Sequence, residues 1–126
     1  MNLKQFKNIG SVVEIYNMVP ITELYEYNNK YYILEWYDII DNIDQYFIYE
    51  TTLDQLLLYL SGTINHLTMI KNNLDFFLVD DNNDLIDAKL EQVDPKSLPL
   101  PESFFHPTFL NSEKLEKLLQ YLYKNI

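Results

Sequence analysis

At 126 residues, 48% of them hydrophobic and 15% aromatic, the chain is a single folded domain with one packed core. Its 19 acidic residues outnumber 9 basic ones, giving a net charge of -10 and a pI near 4.4. This excess of acid over base argues against direct binding to a phosphate backbone, which Lys and Arg must neutralise; every basic residue is a lysine, and the lack of cysteine excludes disulfides, thiolate nucleophiles and cysteine-ligated metals.

No apolar run is long enough to cross a bilayer. The opening MNLKQFKNIG lacks the apolar centre of a signal peptide, so a cytoplasmic protein without membrane contact is expected. The charge is unevenly placed. No lysine occurs between Lys30 and Lys71, a span that contains Glu35, Asp38, Asp41, Asp44, Glu50 and Asp54. A second acidic run, Asp75 to Asp94, contains only Lys89. Such a surface either keeps a small protein soluble or docks on a basic partner.

In chain order, SVVEIYNMVP alternates loosely and reads as a strand ending at Pro20, since proline cannot donate to a ladder. Val13 and Ile15 fall on one side of it, and Val12, Glu14 and Tyr16 on the other. Ile21 to Tyr27 reads as the next strand, followed by a turn at Asn28-Asn29-Lys30, where asparagines tolerate left-handed backbone. Tyr31 to Ile40 is the strongest strand, because Tyr, Ile and Trp suit a pleated, half-buried surface. Tyr32, Leu34 and Trp36 share one face, and Tyr31, Ile33, Glu35 and Tyr37 share the other. Asp41-Asn42-Ile43-Asp44 marks the next turn and Tyr46 to Glu50 a third strand, which completes an antiparallel meander.

Thr52 with Gln55 matches a capping box, and Leu53, Leu56, Leu57 and Leu60 form one helical stripe that stops at Ser61-Gly62. A second short helix is predicted from Thr63 as cap, with Ile64, Leu67 and Ile70 inward. Leu74 to Val79 and Leu85 to Val93 read as a hairpin around Asp80 to Asp84. Four of the five prolines fall in DPKSLPLPESFFHPTF, an extended connection that Phe104, Phe105 and Phe109 would pin to the fold. The closing NSEKLEKLLQYLYKNI carries a helical stripe of Leu115, Leu118, Leu119, Leu122 and Ile126.

Candidate chemistry is thin. Asp80, Asn82, Asp84 and Glu91 fit calcium-loop positions 1, 3, 5 and 12, but Leu85 stands where the loop needs glycine, and a hairpin turn explains the same residues. His66 and His106 each lack a second histidine at ligand spacing, so a structural or surface role is expected for both. The two glycines cannot build nucleotide-binding loops or nucleophile elbows. The eleven tyrosines and Trp36, many of them in the meander, either pack under helices or form an interface, where such side chains are enriched.

Over Pro20 to Phe109 the chain resembles an uncharacterised family of small bacterial proteins. The resemblance rests on the proline before an aromatic strand and the tryptophan ending the second strand (PITELYEYNNKYYILEWY), on a leucine-rich helix running into glycine (LLLYLSG) and on the late SLPLPESFF. It implies the same order of elements and no catalytic residues.

These readings converge on an α+β domain spanning the whole chain: an antiparallel sheet with a three-stranded meander and a later hairpin, against which two short helices and a C-terminal helix pack. The leading expectation is a non-enzymatic protein without a cofactor or metal, of the inhibitor or immunity type, docking on a basic, nucleic-acid-handling protein. Tyr31, Glu35, Trp36, Tyr37, Asp38, Asp41 and Asp44 are the candidate contact residues. The alternatives are a metal-dependent hydrolase using His66, His106 and carboxylates, and an accessory subunit or homodimer joined through sheet faces or edges.

Overall fold

The computed structural model describes residues 1–15, 19–93 and 100–124. Six strands form one antiparallel sheet in sequential order: β1 (Lys7–Ile15), β2 (Val19–Tyr27), β3 (Lys30–Ile40), β4 (Ile43–Thr51), β5 (Phe76–Val79) and β6 (Leu85–Asp87). Helices α1 (Leu53–Leu60) and α2 (His66–Lys71) lie between β4 and β5, and α3 (Ser112–Tyr123) closes the chain. The expected meander and later hairpin are thus consecutive parts of one sheet.

Turn chemistry sets the register. Tyr27 pairs with Lys30 around Asn28-Asn29, and Ile40 pairs with Ile43 around Asp41-Asn42. All four turn residues have positive φ, between 51° and 64°, as two-residue hairpin loops require. The turns are therefore tighter than the sequence implied, and Lys30, Ile43 and Asp44 belong to strands. Pro20 sits at the second position of β2 and not at the end of β1. Tyr16, expected to continue β1, lies outside the described residues.

The helices cover one face of the sheet. Leu24, Ile33, Phe47, Tyr49 and Phe76 lie beneath Leu56, Tyr59, Met69, Ile70, Leu118 and Leu122 in one buried cluster. Register shifts in β1 between Ser11 and Val13 bring Val12 and Val13, expected on opposite faces, into this same cluster. Beside them, Lys114 of α3 donates to both carboxylate oxygens of the buried Glu14, at 3.1 and 2.8 Å.

Helix ends explain the remaining differences. The Thr52 hydroxyl accepts from the Gln55 amide as expected, but the Gln55 side chain accepts from Asn72 instead of completing a capping box. Gly62, with φ of 78°, donates to Tyr59, and Thr63 donates to Leu58. This paired arrangement terminates α1 and uses Thr63, so Asn65 caps α2 through its bond from Thr68. That later start buries His66, Met69 and Ile70, with Leu67 only half-buried.

Asp80 accepts from the amides of Asn82 and Asp84, which builds the expected hairpin turn. The return strand β6 stops at Asp87, and Leu90–Gln92 forms a single 3-10 turn. Much of the proline-rich connection, residues 94–99, lies outside the described residues. In the part that follows, Phe105 and Phe109 pack on the core whereas Phe104 is exposed. Ile126 of the predicted helical stripe is also outside the described residues. None of the described helices is long and apolar enough to cross a membrane.

Candidate functional site

The alternation of β3 sends its candidate residues in two directions. Tyr31, Ile33, Glu35 and Tyr37 face the helices. Tyr31 and Tyr37 are half-buried against the core, with the Tyr37 ring 5.7 Å from Phe47. Burial and the nearby Glu26 push the Tyr31 hydroxyl above its ordinary pKa; burial and Asp38 do the same for Tyr37.

Glu35 belongs to the interior and not to the surface. One of its oxygens lies 2.8 Å from His66 Nε2, and the other accepts from the Thr22 hydroxyl at 3.1 Å. Tyr49 from β4 and Tyr59 from α1 complete the cluster. Burial and the Glu35 charge raise both hydroxyls well above the ordinary tyrosine value. The Tyr59 ring packs edge-on against His66 at 5.3 Å and against Phe105 at 5.5 Å. A carboxylate on the same strand face as Ile33 was the sequence signal for this cluster, since a buried charge requires a partner.

Among the described residues, the opposite face carries no α-helix. Leu34 and Ile48 are nevertheless buried there, under Phe6, Tyr25, Tyr27, Tyr32 and Tyr46. An acidic and aromatic strip crosses this tyrosine layer. Asn8 donates to Glu23 at 2.7 Å and to the Tyr25 hydroxyl at 3.3 Å. Burial and Glu23 push the Tyr25 pKa up to about 12, and burial, Asp44 and Glu23 raise that of Tyr46. Trp36, paired across the sheet with Tyr46, donates from its indole to Asp44 at 3.0 Å.

Beyond Trp36 the sheet narrows to a two-stranded ribbon. The β2–β3 ladder ends at Thr22 opposite Glu35, and the β4–β5 ladder ends at Tyr46 opposite Val79. The β3–β4 ladder continues past both, to Ile40 opposite Ile43. A bulge at Tyr37, between Trp36 and Asp38, marks where the ribbon leaves the sheet. On it Ile39, Ile40 and Ile43 are 55%, 51% and 48% exposed, interspersed with the exposed Asp38, Asp41 and Asp44. Ile15 and Val19, paired at the same end of the sheet, are exposed as well. The candidate set thus divides: Asp38, Asp41 and Asp44 stand on the ribbon, Trp36 at its base, and Tyr31, Glu35 and Tyr37 under the helices. Sequence reasoning passed over the isoleucines because it read Ile39 and Ile40 as ordinary strand residues and Ile43 as part of the turn.

The two histidines occupy different settings. His66 is enclosed in the core, whereas His106 is exposed, its Nδ1 2.8 Å from the Thr108 hydroxyl. Among the described residues, no three His, Asp or Glu side chains stand together as a ligand set for a metal. A surface groove of about 700 Å³ is lined by Lys71, Asp75, Asp87, Lys89 and Glu91 among others and includes no member of the Glu35 cluster. In comparisons with protein families, curated proteins and solved structures, nothing matches this chain.

Proposed function

We propose that this chain is a non-enzymatic binding module that docks through the β3–β4 ribbon and the adjoining tyrosine strip on a protein partner with a basic surface. The observation that carries this reading is the ribbon itself, where the exposed Ile39, Ile40 and Ile43 stand among three exposed aspartates and no lysine occurs between Lys30 and Lys71. Exposed apolar side chains rimmed by like charge supply contact area and select a partner of opposite charge. Trp36, Tyr25 and Tyr46 add large side chains with polar tips beside it.

Electrostatics favours a foreign partner over a second copy. Two chains of net charge -10 meeting through this end would bring Asp38, Asp41 and Asp44 together without a cation between them. Proteins that handle nucleic acid carry the Lys and Arg surface that fits, and covering that surface would inhibit them. This match of charge supports an inhibitor or immunity-type role.

The test is capture of a partner from a lysate of the source organism, comparing the wild-type protein with D38N/D41N/D44N. The expected result is a basic protein retained by the wild type and lost with the variant. Equal retention by both would remove the ribbon from the interface.

A further inference from the structure

The Glu35 cluster leaves polar atoms without partners in the core. Tyr49 Oη, Tyr59 Oη and His66 Nδ1 are buried and make no hydrogen bond to any described residue. Groups of this kind are costly to bury unsatisfied, and here two of them feel the charge of Glu35 while the third lies across the imidazole ring from the nitrogen that Glu35 contacts. Glu35 is itself under-used: an ionised carboxylate offers about four acceptor positions, and Thr22 and His66 occupy two.

We infer that this cluster is an internal hydration site, in which bound water joins the Tyr49 and Tyr59 hydroxyls and His66 Nδ1 to Glu35. The chemistry of the orphaned atoms selects water over other small ligands. The tyrosine hydroxyls are donors in search of an acceptor. His66 Nδ1 needs a donor if the ring is neutral with its proton on Nε2, and an acceptor if the ring is charged. Water alone among common small ligands serves both states without adding charge to a dry interior. Globular proteins hold about one buried water per 27 residues, so a site of this kind is ordinary in a chain of this size.

The site has a structural consequence. Its side chains come from β2, β3, β4, α1 and α2, and the His66 amide donates to Ser103 of the connection at 2.8 Å. Bound water would complete a polar junction that fixes the helices and the connection on the sheet. This is independent of the ribbon and of any partner.

The test uses the whole protein and needs no partner. Water-selective nuclear Overhauser spectra should show long-lived water at the His66, Tyr49 and Tyr59 rings, and Y49F and Y59F should each unfold at lower urea than the wild type. Phenylalanine keeps the ring packing, so both variants retain the core shape. Absence of long-lived water at these rings would overturn the inference. So would a raised urea midpoint in both variants, because deleting a hydroxyl that truly lacks a partner stabilises the fold.

Discussion

Glu35 and His66 approach to 2.8 Å with side chains 2% and 1% exposed, which joins the centre of the sheet to the start of α2. Removing one partner of such a pair leaves the other polar group buried without compensation. E35A or H66A should therefore lower stability by about 1–3 kcal/mol in chemical denaturation. Replacing both residues by apolar side chains of similar volume should recover most of that loss. A loss below about 1 kcal/mol in the single variants would place the pair at a solvated site.

The tyrosines should titrate late. Burial followed by Glu23 pushes Tyr25 up to about 12; burial followed by the hydrogen bond to Glu26 does the same for Tyr121, against an ordinary value of 10.0. A raised folded-state pKa contributes stability that is fully present below the unfolded value and is lost as pH climbs through the folded one. Stability should thus fall between pH 10 and about 12 as the unfolded chain releases protons that the folded chain retains. Ultraviolet detection of tyrosinate checks this directly, and E26Q should bring Tyr121 back toward its ordinary value.

Trp36 is the only tryptophan, so its fluorescence reports on the base of the ribbon. Its bond to Asp44 is exposed, and D44A should change the emission while costing only about 1 kcal/mol or less. An emission spectrum identical to the wild type would show that the bond is not formed in solution.

The two hairpin loops set the meander register through left-handed residues. N29A and N42A should each cost about 1–2 kcal/mol, while glycine at either position should be tolerated. Thermal unfolding of the four variants tests this. Equal stability of the alanine and glycine variants would mean that the loops adopt a different turn.

The sheet was readable because its strands alternate and its turns carry asparagine or aspartate at positions that need positive φ. Helix starts were less readable. Thr63 and Asn65 are both good caps, and the choice between them depends on how α1 ends at Gly62. The Glu35 cluster was hidden for a different reason: sheet register brings Thr22, Glu35 and Tyr49 together, and the packing of α1 and α2 on the sheet adds Tyr59 and His66. Surplus tyrosine had two readings, packing under helices or forming an interface; the fold puts Tyr49 and Tyr59 in the core, as the first has it, and leaves Tyr25 and Tyr46 on the other face of the sheet. The ribbon depended on ladder lengths, since Ile39 and Ile40 are exposed only because β2 and β5 do not pair alongside them.

The most direct test of docking through the β3–β4 ribbon is the dissociation constant of the captured partner, measured by titration calorimetry over a range of salt concentrations. The comparison is between the wild-type protein and I39S/I40S/I43S. Expected are a wild-type affinity that weakens steeply as salt rises, and a weaker affinity for the serine variant at every concentration. An affinity insensitive to salt and unchanged in the variant would contradict the proposed interface.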